Sequence, residues 1–372
     1  MRNMQNNSNI KVIISGGGTG GHIFPAIAIA DTLKNNFNDV AILFVGAKHK
    51  MEMIKVPEAG YPIEGLWISG LQRRLTWKNF LVPIKMISSL LKANKIINKF
   101  KPDVVIGVGG YASWAVVKVA SIKKIPTLIQ EQNSFPGKSN INLSKKVNKI
   151  CVAFEGMEKY FPSQKIVITG NPVRKKVVDI ENKREEALRF FGLNPNKKTI
   201  LAIGGSLGAR TINQSIAKYL ELLIRQNAQL IWQTGKTYYP FAIDMVKKFP
   251  NSNLMVLEFI NRMDYAYAAA DIIISRAGAI SVSELCMVGK PVILVPSPNV
   301  AEDHQTKNAM SLVQSNAAIL IKDVDCINVL GNEVEELLRN PEKCEDLSIN
   351  IKKLALPNAA ERIVEEIIKI KK

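Results

Sequence analysis

At 372 residues and 41.2 kDa the chain is longer than one hydrophobic core commonly fills, so two domains are expected. With 47% apolar and 22% charged residues it reads as a folded globular protein, which excludes the disordered and fibrous classes. The net charge of +18 is lopsided, since residues 1–174 hold 24 basic and 9 acidic side chains and the remainder 26 and 23, so the first half is expected to meet something anionic.

No arginine-rich arm, zinc-finger spacing or aromatic-basic module occurs, which argues against nucleic acid as the partner. Cys151, Cys286, Cys326 and Cys344 lack CxxC spacing, against a structural zinc or a disulfide framework and in favour of a reducing compartment. Residues 1–9 are polar, without the apolar core of a secretory signal, and no apolar run is long enough to span a bilayer.

In chain order, Ile10 to Ser15 reads as a buried first strand. It runs into Gly16-Gly17-Gly18-Thr19-Gly20-Gly21-His22 and then an apolar helix over 25–33. Strand, glycine turn and helix open a doubly wound α/β domain, where glycines let backbone approach a phosphate and the helix start supplies donors. The spacing is neither that of a nicotinamide fingerprint nor of a P-loop ending in Lys-Ser/Thr, so a dinucleotide site stays open but without support from the finer spacing.

Strands are expected over 41–45, 104–108, 127–130, 149–153 and 166–169, with helices between several of them. The segment 71–95 interleaves Leu75, Trp77, Phe80, Leu81, Ile84, Ile87 and Leu91 with Arg73, Arg74, Lys78, Lys85, Lys92 and Lys95. An apolar surface rimmed by cations suits an anionic bilayer, and a core helix with snorkelling lysines is the alternative. The two domains are expected to join near 171–182, and the second set of strands to begin after the charged region 179–189.

The second set of strands is expected over 199–203, 230–233, 254–257, 272–274, 292–295 and 318–321. The glycine device recurs as Gly204-Gly205-Ser206-Leu207-Gly208-Ala209-Arg210, so the two loops are expected to face each other across a cleft. Ser275-Arg276-Ala277-Gly278-Ala279, with Glu284 further along the helix, reads as a nucleotide clamp or as an ordinary βα turn. From residue 357 onward a terminal amphipathic helix either packs on its own domain or braces the first.

Three histidines, His22, His49 and His304, show no metal-ligand spacing, so no metal site is expected. His22 follows the first glycine loop directly and either takes a proton from a hydroxyl nucleophile or orients the loop. Tyr111, Glu131, Asn133 and Arg174 stand at predicted strand ends and can converge on one pocket. Arg174 has the planar fork that matches a pyrophosphate, and Gln305 can donate to and accept from sugar hydroxyls.

Taken together, Gly17-Gly18-Thr19-Gly20-Gly21-His22-Ile23-Phe24-Pro25-Ala26, Gly109-Gly110-Tyr111, Glu131-Gln132-Asn133, Thr169-Gly170-Asn171-Pro172-Val173-Arg174, the second glycine loop, Ser275 to Ala279 with Glu284, and Glu302-Asp303-His304-Gln305 resemble the bacterial MurG glycosyltransferase family in order over nearly the whole chain.

The resemblance implies a GT-B fold, α/β, with two Rossmann-like domains whose parallel sheets face each other across a cleft. The first, 1–174, would bind acceptor and membrane. The second, 175–356, would bind the UDP-sugar, and the terminal helix 357–372 would pack back on the first. The activity implied is inverting transfer of N-acetylglucosamine from UDP-N-acetylglucosamine to the C4 hydroxyl of undecaprenyl-pyrophosphoryl-N-acetylmuramoyl-pentapeptide, lipid I, giving lipid II and UDP for peptidoglycan.

That work would be done without a cofactor, at the cytoplasmic face of the inner membrane, on anionic lipids and beside other cell-wall and division proteins. By the same resemblance, Thr19, Gly20, Gly21, Asn133, Arg174, Ser206, Ile260 and Gln305 contact the donor. Arg276, Ala277, Gly278 and Ala279 lie near its phosphates and Glu284 holds the ribose. The first loop helps hold the acceptor pyrophosphate, His22 is the base, and Glu131 and Tyr111 support it. Arg73, Arg74, Trp77, Lys78, Phe80 and Leu81 form the membrane face.

Leu207 stands where many relatives have glutamine, and Gln130 where most have histidine. The rival readings are another GT-B lipid glycosyltransferase or a UDP-N-acetylglucosamine epimerase, an NAD-dependent oxidoreductase, and a non-catalytic protein binding membrane or RNA.

Overall fold

The computed structural model describes residues 10–69, 81–205, 207–250 and 252–371. The chain divides into two units, one of Met1–Val173 with Pro357–Lys372 and one of Arg174–Leu356. Arg174 therefore belongs with the second unit, one residue earlier than the expected boundary.

The first unit is a seven-stranded parallel sheet in the order β3-β2-β1-β4-β5-β6-β7. Its strands are β1 Ile10–Ser15, β2 Val40–Ala47, β3 Ile63–Leu66, β4 Val104–Gly107, β5 Thr127–Glu131, β6 Lys149–Val152 and β7 Ile166–Ile168. β1 and β4 are buried along most or all of their length, as parallel strands covered on both faces must be. β3 escaped the sequence reading because Ile-Glu-Gly-Leu carries a carboxylate and a glycine. It is an edge strand held in register by Phe44 to Ala47 of β2.

The second unit has six parallel strands in the order β10-β9-β8-β11-β12-β13. These are β8 Thr199–Ile203, β9 Gln229–Gln233, β10 Leu254–Leu257, β11 Ile272–Ser275, β12 Val292–Leu294 and β13 Ile319–Leu320. The charged region 179–189 contains a helix. Helix Arg184–Phe190 buries Ala187 and Leu188, and Arg184 forks onto Asp271 at 3.0 and 3.1 Å.

In each sheet the chain first builds outward from one strand, β1 or β8, and then returns to add the next strand on its other side. The reversals fall between β1 and β4 and between β8 and β11. Connections diverge there, leaving a crevice at the carboxyl ends of the strands. The terminal helix Ala359–Ile370 inserts Ile363, Val364 and Ile367 into the core that Ile29, Ala30 and Leu33 of helix Gly20–Asn36 share with β1. That packing ties the chain's last residues to the first unit.

Candidate functional site

Each crevice is lined by glycine turns. In the first unit β1 empties into Gly16 to Gly21 and its neighbour β4 into Gly109-Gly110, with Ser15 and Gly107 in register. Gly109 and Gly110 have φ of 101° and 89°, in the left-handed region that side chains disfavour. They also leave room: a Cβ on Gly109 would lie 2.8 Å from the His22 ring, and one on Gly110 2.8 Å from the Gly17 carbonyl. The glycine pair thus forms the wall of a seat for His22.

His22 is half-buried, and its Nδ1 lies 2.9 Å from the Gly17 carbonyl oxygen. A carbonyl only accepts, so Nδ1 carries the hydrogen, and in the neutral ring the lone pair is on Nε2. Beside it helix Gly20–Asn36 begins without a side-chain cap on Thr19. Among the described residues the Gly20 and Gly21 N–H groups find no acceptor, so two donors and the positive end of the helix stand open.

Tyr111 is exposed at the start of the helix after β4. Glu131 is buried at the end of β5 and its carboxylate is fully engaged. One oxygen accepts from the Asn133 N–H and side-chain amide at 3.1 and 3.2 Å, the other from the Gly137 N–H and Asn140 amide at 3.1 and 2.8 Å. Glu131 therefore shapes the loop that carries Asn133.

In the second unit Arg174, Glu284, the turn Arg276 to Ala279 and Gln305 gather around the ends of β11 and β12. Glu284 is buried on helix Ala279–Val288, accepting from the Tyr267 hydroxyl at 3.3 Å and lying 3.7 Å from Arg174. Burial raises the Glu284 carboxyl above its ordinary range, while Arg174 and Tyr267 pull it back. Burial, reinforced by Glu284, also pushes the Tyr267 hydroxyl well up.

The Arg276 side chain turns inward. It donates to the Val295 and Pro296 carbonyls at 2.9 and 3.1 Å and pairs with Asp323 at 2.5 Å, beside the turn at Gly278 where helix Ala279–Val288 begins. The Gln305 carbonyl accepts the Ser297 N–H at 2.8 Å, so its amide hydrogens point elsewhere. Ile260 is buried just beyond β10.

Gly208 and Gly235, with φ of 77° and 74°, let the second glycine loop touch the turn after β9, and Leu207 stands 88% exposed at the tip. Ser206 lies outside the described residues, as do Arg73, Arg74, Trp77, Lys78 and Phe80 of the expected membrane face. Leu81 is described and exposed. Behind it helix Val82–Phe100 shows Ile84, Ile87 and Leu91 at 55%, 61% and 66% exposure, one stripe at helical spacing.

Lys85 and Lys92 do not rim that stripe. They turn back to the Ser69 hydroxyl and to the Gly65 carbonyl and Glu64 carboxylate. The sequence reading missed Glu52, Tyr267 and Asp323. For Glu52 the available signal was an acidic residue just past β2 in a half that holds only nine.

The N-terminal domain model of glycosyltransferase family 28 matches residues 12–152, and the C-terminal domain model of the same family matches 199–363. The protein belongs to glycosyltransferase family 28.

Within that class its relatives can be named more narrowly. A protein of Flavobacterium psychrophilum, 59% identical over 361 residues spanning 97% of both chains, is the UDP-N-acetylglucosamine–N-acetylmuramyl-(pentapeptide) pyrophosphoryl-undecaprenol N-acetylglucosamine transferase. One of Parabacteroides distasonis with the same name is 55% identical over 360 residues, 97% of this chain and 98% of its own. The crystal structure of Acinetobacter baumannii MurG matches with a TM-score of 0.81 at 28% identity, covering 97% of this chain and 99% of that one.

Proposed function

We propose that this protein transfers N-acetylglucosamine from UDP-N-acetylglucosamine to the C4 hydroxyl of the muramoyl sugar of lipid I, giving lipid II and UDP with inversion at the anomeric carbon. The observation that carries the reading is the 59% identity, over 97% of both chains, to a transferase named for that donor and acceptor.

The chemistry follows from the residues. The acceptor hydroxyl oxygen bonds to C1 of the donor sugar as the bond from C1 to the diphosphate oxygen breaks. Its proton goes to His22 Nε2, the ring nitrogen left basic by the Nδ1 contact with Gly17. The electron pair leaves with UDP, whose growing charge is met by backbone N–H groups near Gly278 and by Arg174.

Glu284 accepts from the ribose hydroxyls, and the open Gly20 and Gly21 N–H groups with Thr19 hold the acceptor pyrophosphate. Asn133, on the loop braced by Glu131, together with Ser206, Ile260 and Gln305, completes the donor contacts, and Tyr111 flanks the base. The stripe of Leu81, Ile84, Ile87 and Leu91, with Arg73, Arg74, Trp77, Lys78 and Phe80 before it, lies on anionic lipid at the cytoplasmic face of the inner membrane. Among the described residues no helix is long and apolar enough to cross a membrane.

Radiolabelled UDP-N-acetylglucosamine supplied with a lipid I analogue tests the reading. Labelled disaccharide lipid and equimolar UDP are expected. A folded, UDP-binding preparation that makes neither contradicts it.

A further inference from the structure

Glu52 opens the short helix Glu52–Glu58 after β2 and is 1% exposed. Among the described residues it has no lysine or arginine partner, and a carboxylate in that position is costly unless its oxygens are satisfied. They are met by backbone. Ala47 N–H donates to Oε1 and Gly18 N–H to Oε2, both at 2.9 Å.

The second of these bonds matters for chemistry. Gly18 N–H belongs to the same peptide group as the Gly17 carbonyl that receives the His22 Nδ1 hydrogen at 2.9 Å. The groups form one hydrogen-bonded chain, from Glu52 Oε2 through the Gly17–Gly18 peptide to His22 Nδ1. A Cβ at Gly17 would run into the Glu52 carboxylate, and one at Gly109 into the imidazole. The glycines are what let a carboxylate, a peptide plane and a ring stack this closely.

We propose that Glu52 is the remote positioning residue of the His22 base, acting through the Gly17–Gly18 peptide. A negative charge at the N–H end polarises the peptide and makes its carbonyl a stronger acceptor, as in any hydrogen-bond chain. The carbonyl then fixes the Nδ1–H tautomer and steadies the positive ring when Nε2 takes the acceptor's proton. The arrangement has the logic of a nucleophile–base–acid triad with a peptide group inserted between base and acid. It rests on His22 being the base.

Histidine labelled with 15N reads the relay without turnover. In the wild-type protein the neutral His22 ring is expected to show a protonated Nδ1 and a bare Nε2. Glu52→Gln places an amide NH2 against one of the two N–H groups and removes the charge. The ring is then expected to drift toward the Nε2–H tautomer, with kcat falling on the order of 10- to 100-fold, below the range a lost base costs, and KM for the donor moving less than about twofold.

Glu52→Asp, which keeps the charge but is too short to span Ala47 and Gly18, is expected to fall between the two and serves if the glutamine variant does not fold. Ring nitrogen shifts that stay at wild-type values in the folded variants overturn the relay whatever kcat does. Shifts that move while kcat holds uphold the relay and overturn His22 as the base.

Discussion

Glu284→Gln is expected to move donor affinity and folding stability in opposite directions. Tyr267 donates to Oε2 at 3.3 Å while Oε1 lies 3.7 Å from Arg174, so the carboxylate keeps acceptor capacity for a ribose. An amide presents one acceptor where the carboxylate presents two, and it carries no charge. The loss of one charge-assisted hydrogen bond, about 1.5–3 kcal/mol, weakens UDP binding by roughly 10- to 150-fold.

Stability goes the other way. Burial raises the Glu284 carboxyl, so the folded state holds that proton more tightly than the unfolded chain. Stability therefore falls as pH rises from the unfolded value through the folded one, and above the folded value the whole cost is present. Glutamine removes it, so the unliganded variant should melt higher than wild type near pH 7.5, by about 2–4 °C for each kcal/mol recovered in a unit of this size. The gap should close below about pH 4, where the wild-type carboxyl is also neutral.

Titration calorimetry with UDP and melting curves without ligand at both pH values make the comparison. Unchanged UDP affinity refutes the ribose role, and a variant that melts lower at pH 7.5 refutes the linkage argument.

His22→Ala should lower kcat by about 10²- to 10⁴-fold while UDP affinity stays within about twofold; near-normal turnover would move the base elsewhere. Replacing Ile87 and Leu91 with serine should release the protein from vesicles containing anionic lipid in a sedimentation assay. Retained binding would move the membrane face off this helix. Ile367→Ala cuts a fully buried side chain from the terminal helix and should cost about 2–5 kcal/mol in denaturant unfolding. An unchanged midpoint would mean that this helix adds little to the first unit's core.

Much of the fold was legible because parallel strands covered on both faces are near-continuous apolar runs, and Val12 to Ile14, Val104 to Ile106 and Ile272 to Ile274 are such runs. Ile63 to Leu66 was not, since an edge strand is defined by its neighbour more than by its own residues. Helix Arg184–Phe190 hid in a charged stretch because what fixes it, Arg184 on Asp271, joins residues 87 positions apart.

The site was legible where backbone geometry demands glycine, as at Gly109 and Gly110, and less so where function depends on what a side chain has already bonded. Arg276 reads as a phosphate ligand until Asp323, 47 positions on, is found holding it. Glu52 gave no motif because its partners are main-chain N–H groups, and any residue type supplies those.

The product itself tests the proposed activity most directly. Incubation of UDP-N-acetylglucosamine with a lipid I analogue, followed by proton NMR of the lipid fraction, should show a β-linked N-acetylglucosamine on C4 of the muramoyl sugar and one UDP released per linkage. An α linkage, attachment at another hydroxyl, or conversion of the donor to its 2-epimer without any transfer would contradict it.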